Sequence, residues 1–175
     1  MGVKNLVLSL VATSLLITPA MAKVNYKGLG KAHINVGVSS MEIDSQTTQA
    51  TEIEVGTDFF YGERYTVGFN YVFELPDDSN ITQFSAIEFN YEYKIANKTD
   101  IYGFVGYDFN DDATASGIGY GLGMKYQITD YLGTYAKFKY TSITPIEGDD
   151  YDKTVATFGI ILNFKDANGV AKWQE

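Results

Sequence analysis

Most of the chain consists of segments in which apolar and polar residues alternate one by one. Eight such segments follow one another, at residues 27–39, 51–61, 64–75, 87–95, 100–110, 117–128, 132–141 and 154–164. Alternation with a period of two predicts β-strands that have one apolar and one polar face. Their lengths are close to the roughly 9 to 11 residues that a tilted membrane-spanning strand requires.

The connections between these segments alternate in length. Longer polar stretches lie at 40–50, 76–82, 110–116 and 143–152, and short corners lie at 62–63, 96–99 and 129–130. An even number of antiparallel strands can close on itself, and closure matters because an open edge in lipid leaves backbone groups unpaired at several kcal/mol each. The predicted fold is all-β: an eight-stranded antiparallel up-and-down transmembrane β-barrel with a polar interior filled by side chains.

The alternation alone does not tell which face is outside. A soluble lipocalin-like barrel points its apolar face inward, and a membrane barrel points it outward. The polar face here carries glycines, asparagines and isolated charges, which suit the narrow lumen of an eight-stranded barrel. The reversed arrangement would place Lys125, Lys137 and Lys139 against lipid, at about 2 to 4 kcal/mol each near the midplane. We therefore expect the apolar face to meet lipid.

The first 22 residues have the features of a secretory signal peptide. Lys4 precedes an apolar run, and the small residues Ala20 and Ala22 stand where cleavage is expected. This predicts export, with the barrel at 23–164 and a short periplasmic tail at 165–175. The chain has no cysteine and a net charge of −9 at pH 7. It therefore has no disulfide framework, and nucleic acid is not an expected partner.

The last alternating segment, 154–164, ends on an aromatic residue. Thr157, Gly159, Leu162 and Phe164 are similar to the terminal signal by which bacterial outer-membrane barrels are recognised for assembly. The chain from 23 onward resembles the small outer-membrane barrels of the OmpA-transmembrane-domain, OmpX and opacity type. The resemblance implies an outer-membrane location, contact with lipid and lipopolysaccharide, and insertion by the barrel-assembly machinery. One departure is that the chain continues for eleven residues beyond Phe164.

Charged residues on the polar face form a second candidate feature. Enclosed charges must be paired or hydrated, because burying them uncompensated is costly, and the resemblance implies an interior plug of ion pairs. The plug is predicted to consist of Lys31, His33, Glu52, Glu54, Arg64, Glu88, Glu92, Lys125, Lys137 and Lys139. Asp58, Glu74 and Lys94 are further candidates for the interior. His33 is the only histidine, and Ser39 and Ser40 lie too far along its strand to complete a catalytic triad. No catalytic residue and no cofactor are predicted.

The longer connections contain pairs of aspartates. Because longer loops face outward in such barrels, these pairs predict an acidic outer rim. Aspartate is a favoured turn residue, so solvated turns are the preferred interpretation. The alternative is a divalent-cation site that bridges to lipopolysaccharide phosphates. The rim residues are Asp77, Asp78, Asp111, Asp112, Asp149 and Asp150.

These observations favour a non-enzymatic, monomeric outer-membrane barrel that contributes to envelope integrity or surface interaction. Two alternatives stay open at this point. One is a small pore for ions or small solutes, which requires an open lumen. The other is a soluble periplasmic lipid-binding barrel, which requires the apolar face to point inward.

Overall fold

A computed structural model describes residues 32–43, 46–61, 64–78 and 80–164 of the chain. The predicted signal peptide and the predicted tail lie outside these residues. Within them, no helix is long and apolar enough to cross a membrane. The eight strands are β1 (Ala32–Ile43), β2 (Gln46–Tyr61), β3 (Tyr65–Pro76), β4 (Phe84–Ala96), β5 (Thr99–Asn110), β6 (Ala115–Gln127), β7 (Leu132–Pro145) and β8 (Tyr151–Phe164).

The strands form one closed barrel in chain order. Each strand pairs antiparallel with its neighbours in the sequence, and β8 returns to β1, where Phe164 pairs with Ala32 and Lys153 pairs with Ile43. Because every strand has two partners, the sheet has no open edge whose backbone groups would remain unpaired. The predicted eight-stranded up-and-down barrel is confirmed.

The two faces of the sheet have the orientation expected for a membrane barrel, with the apolar face outside and the polar face inside. Val38, Leu122 and Phe158 are 70%, 73% and 62% exposed on the outside of the barrel. Glu88 and Lys137, in contrast, are buried inside it. This orientation is the reverse of that expected for a soluble barrel with an apolar pocket, so the lipocalin-like alternative is not favoured.

The barrel has two distinct ends. At one, which we call the loop end, the strands are joined by residues 44–45, 77–83, 111–114 and 146–150. At the other, the turn end, they are joined by 62–64, 97–98 and 128–131. The predicted connection at 40–50 is wrong, because Ser40 pairs with Gln49 and the strands continue to Ile43 and from Gln46. Backbone pairing does not require apolar side chains, so these polar residues extend the sheet.

The loop end of the interior is apolar. Met41, Ala50 and Val155 form one buried cluster, and Ile43 packs against it. A second cluster consists of Phe84, Ala115 and Ile143 and also contacts Ile43 and Tyr151. Together these apolar clusters fill the lumen beneath the loops, because large buried side chains from several strands meet there.

The middle of the barrel depends on glycines that face large rings. Tyr102 and Phe104 of β5 point inward and are buried, and they pair in register with Gly123 and Gly121 of β6. A Cβ atom on either glycine would collide with the facing ring. The glycines therefore create the space that these two inward-facing rings occupy.

Candidate functional site

The barrel interior holds most of the buried charge of the described chain. Alternate positions of the strands point inward, so charged residues that are distant in sequence meet in the lumen. Seven carboxylates and four lysines are buried there, an excess of three negative charges that His33 reduces by one when it is protonated. We call this set the interior ion network: Glu52, Glu54, Asp58, Glu74, Glu88, Glu92, Asp108, Lys125, Lys137, Lys139, Lys153 and His33.

Lys137 lies at the centre of the network. Its Nζ atom is 3.0 Å from Glu52 Oε1, 3.2 Å from Glu54 Oε2 and 3.4 Å from Glu88 Oε2. The hydroxyl of Tyr135 donates to Glu52 Oε1 at 3.1 Å, and the hydroxyl of Thr157 donates to Glu52 Oε2 at 3.0 Å. This one lysine therefore links carboxylates of β2 and β4 to β7 across the lumen.

A second group lies between Lys137 and the loop end. Lys139 Nζ is 3.2 Å from Glu88 Oε1 and 3.1 Å from Asp108 Oδ2. Lys153 Nζ is 2.7 Å from Asp108 Oδ2 and also pairs with Glu74. The Lys153 amine stands 4.3 Å from the centre of the Phe84 ring. The network therefore ends directly against the apolar clusters of the loop end.

A third group lies at the turn end, around a pocket of about 50 Å³. His33 Nε2 is 3.5 Å from Glu54 Oε1, and His33 Nδ1 is 3.4 Å from Asp58 Oδ2. Lys125 pairs with Glu92, and its amine lies 5.1 Å from the centre of the Tyr102 ring. Asn90 supplies an amide hydrogen to Glu92 Oε1 at 3.1 Å. This end of the lumen is polar, and its pocket is large enough to hold a few water molecules.

The structure places most of the predicted plug residues inside the barrel. Eight of them are buried: His33, Glu52, Glu54, Glu88, Glu92, Lys125, Lys137 and Lys139. The placement of Arg64 in the interior is wrong, because Arg64 lies exposed in the turn between β2 and β3 and its carbonyl accepts from the Lys94 amide at 2.9 Å. Lys31 lies outside the described residues.

Two network residues escaped the sequence prediction. Lys153 lies between the predicted loop at 143–152 and the predicted strand at 154–164, although it precedes Val155 and Thr157 on the inward face of β8. Asp108 lies on the inward face that its position indicated, but its pairing with two lysines depends on barrel register. Extending the alternation of β8 back to its first paired residue would have found Lys153, whereas Asp108 already lies within the predicted strand at 100–110.

The aspartate pairs of the rim lie exposed in the connections of the loop end. Asp78 Oδ1 accepts from both the amide and the side chain of Asn80, each at 2.9 Å, as a turn-forming aspartate does. In the described part of the chain, no group of three or more histidine or carboxylate side chains is placed to hold a metal ion. Among the described residues at this end, Lys153 is the only lysine or arginine, and it is buried.

The chemistry that the interior supports is electrostatic. Ser39 lies on the same strand as His33 and donates its hydroxyl to the Ala50 carbonyl at 3.2 Å, so it is not oriented towards the imidazole. The buried lysines pair with carboxylates of other strands and so connect β2, β3, β4 and β5 to β7 and β8. The arrangement is that of a cross-linked plug.

The chain and its barrel are similar to known proteins. The family model described as "Outer membrane protein beta-barrel domain" matches residues 8–164. Neisserial surface protein A is 10% identical with a TM-score of 0.56, over 78% of this chain and 99% of that one. Ail, the attachment invasion locus protein of Yersinia pestis, is 12% identical with a TM-score of 0.50, over 77% and 99%.

A de novo designed transmembrane β-barrel has the same fold, at 14% identity and a TM-score of 0.51, over 79% of this chain and 99% of that one. No curated protein matches the sequence. The two natural structures share only the fold at these identities, whereas the range matched by the family model includes all eight strands of the barrel. The chain belongs to the outer-membrane protein β-barrel domain family and is an integral barrel of the bacterial outer membrane.

Proposed function

We propose that the protein is a non-conducting, non-catalytic outer-membrane barrel that contributes to envelope integrity and meets its partners at its lipid-facing wall and its loop end. The observation that carries this proposal is the occupied lumen. Lys139 is fully buried and lies among carboxylates of three different strands. A continuous aqueous path would have to displace these ion pairs, and removing one partner of a buried pair costs about 3 to 5 kcal/mol.

The apolar clusters support the same conclusion from the loop end. Met41 and Ile143 are fully buried inside the lumen, and ions crossing that level would lose their hydration without finding polar partners. A pore would therefore need two separate barriers to open. This argues against the alternative of a small pore.

Planar-bilayer recording tests the closed lumen. The barrel is refolded, and its folded state is checked by the change in gel mobility between unheated and boiled samples. We expect no unitary conductance above the leak of the protein-free bilayer. Discrete, reproducible conductance steps that scale with the amount of folded protein would favour the pore and contradict the proposal.

The charge of the loop end determines which kind of partner we propose for it. Its connections are short, and their charged residues are acidic, with Asp77, Asp78, Asp111 and Asp112 all exposed. The Ail structure is a complex with the heparin analogue sucrose octasulfate, and a sulfated polyanion requires cations that the described loop end does not expose. We propose that partners there are neutral or cationic, and that sucrose octasulfate does not bind.

Lipid and lipopolysaccharide are contacts of barrels of this kind, and we propose further that this barrel is inserted by the assembly machinery and acts as a monomer. A deletion strain tests the envelope role. We expect greater sensitivity to detergents and large hydrophobic antibiotics, restored by the native gene. Unchanged sensitivity under several envelope stresses would remove the structural role and leave surface contact as the remaining function.

A further inference from the structure

The interior ion network contains an arrangement that a neutral histidine would not satisfy. Both ring nitrogens of His33 face carboxylates, Nε2 towards Glu54 Oε1 at 3.5 Å and Nδ1 towards Asp58 Oδ2 at 3.4 Å. A neutral imidazole has one donor nitrogen and one acceptor nitrogen, and both are donors only in the imidazolium ion. In the neutral form, a lone pair would therefore point at a carboxylate oxygen.

The surroundings of His33 favour a positive charge. The groups that face it come from several strands, and the interior contains seven carboxylates against four lysines. Lys125 is the cation nearest to this end, and it is paired with Glu92. The charged neighbours are Glu54 and Asp58 of β2, Glu92 of β4, Asp100 of β5 and Lys125 of β6.

A neutral amide, that of Asn70, also lies beside His33. Asn70 Oδ1 and His33 Nε2 both lie over Gly56, where a Cβ atom would touch them. The Oδ1 atom of Asn70 is buried without a hydrogen-bond partner. This oxygen accepts hydrogen bonds and cannot donate them, so it too suits a neighbouring ring nitrogen that carries a hydrogen, or a water molecule bound beside it.

The pocket at the turn end connects this site to solvent. Its lining includes His33, Asp58, Thr66, Asp100 and Lys125, and its volume is about 50 Å³. A proton therefore has a hydrated route to His33 from the turn end, whereas the apolar clusters close the loop end. By the orientation expected for such barrels, with the short turns inside, the turn end faces the periplasm.

We propose that His33 is a proton-binding site open to the periplasm, where it is held as an imidazolium ion between Glu54 and Asp58. The bound proton supplies the fifth interior cation and joins the start of β1 to β2. Loss of the proton turns one of these contacts into a repulsion, so the turn end of the barrel loosens in alkaline surroundings.

The single histidine of the chain makes the test unambiguous. The native barrel, labelled with ¹⁵N-histidine and refolded in micelles, is studied by NMR near neutral pH. We expect both ring nitrogens to resonate in the narrow range of protonated nitrogens. One nitrogen shifted far downfield, as an unprotonated acceptor, would overturn the proposal.

Two variants separate this site from the rest of the network. Asp58→Asn removes one carboxylate partner, and we expect it to leave one ring nitrogen unprotonated near neutral pH. Glu74→Gln lies in the loop-end part of the network and should leave the spectrum of His33 unchanged. Identical spectra for native protein and the Asp58 variant would contradict the bridging role, and the native spectrum decides the protonation state if the variant does not fold.

Discussion

The ring of Tyr102 lies directly over the backbone of Gly123, its register partner on the neighbouring strand. A Cβ atom on Gly123 would overlap the ring atoms. Phe104 stands in the same relation to Gly121. The glycine alternation of β6 is thus the complement of two aromatic residues on β5, and it serves packing inside the lumen.

Gly123→Ala is therefore expected to destabilise the barrel. The added methyl group forces Tyr102 out of its position, and such overpacking costs about 1 to 3 kcal/mol. Urea-induced unfolding of the refolded barrel, followed by circular dichroism, measures this loss.

The matched control is Gly103→Ala, on the outward face of β5. A Cβ atom there meets Leu122 Cδ2 at 3.6 Å, an ordinary contact, so the change should stay within about 0.5 kcal/mol. Equal losses for both substitutions would indicate a general strand effect and contradict the specific role of Tyr102.

The lysine at the centre of the network should be more important than any single carboxylate beside it. Lys137→Met keeps the volume but leaves Glu52, Glu54 and Glu88 without their shared cation. Breaking a buried ion pair in this way costs about 3 to 5 kcal/mol, which unfolding experiments would detect as a large fall in the midpoint.

Glu52→Gln is the paired substitution. It removes one charge from an interior that already has an excess of carboxylates, and the Tyr135 and Thr157 hydroxyls can still bond to the amide. We expect a change smaller than about a third of that for Lys137→Met, because no opposite charge is left alone. A larger loss for Glu52→Gln would show that the excess negative charge is compensated in some other way.

A charge on the outer wall should cost free energy according to its depth. Leu122 lies in the middle of β6 and is 73% exposed. Leu122→Lys should cost about 2 to 4 kcal/mol in lipid vesicles, as lysine does near the midplane of a bilayer.

Ile128→Lys, just beyond the end of β6, provides the comparison for depth. It should cost no more than about 1 kcal/mol, because it lies at the interface. Equal costs at the two positions, or no cost at Leu122, would show that this part of the wall does not face hydrocarbon.

The alternation of residues predicts the strands and their number because lipid and lumen impose opposite demands on successive side chains. The glycines and isolated charges of the polar face add which face points inward. On β5, where both faces contain aromatics, the two charged residues Asp100 and Asp108 lie on the same face as Tyr102, and this is the face that points inward. The pattern fails at the loop end, where Ser40 and Gln49 are polar although they are paired. There the strands continue beyond the apolar part of the outer surface. The alternation of apolar and polar residues therefore ends before the strand does.

The ion pairs of the network could not be predicted in the same way. Alternation places Lys137 and Glu88 inside, but it does not say that they meet, because they are 49 residues apart and on strands that are not neighbours. Their contact depends on the register of every strand between them. The placement of Arg64 failed for a local reason, since the turn includes it and β3 begins one residue later.

The central claim is that apolar side chains face lipid while the ion network fills the lumen, and methyl NMR of the unmodified protein tests it most directly. The folded barrel is measured in lipid bilayers with and without a paramagnetic label carried on the acyl chains. The methyl signals of Leu122 and Val38, which lie on the outer wall, should broaden strongly, whereas those of Val72 and Val155, which are buried inside, should persist. Stronger broadening of Val72 and Val155 than of Leu122 and Val38 would contradict the account.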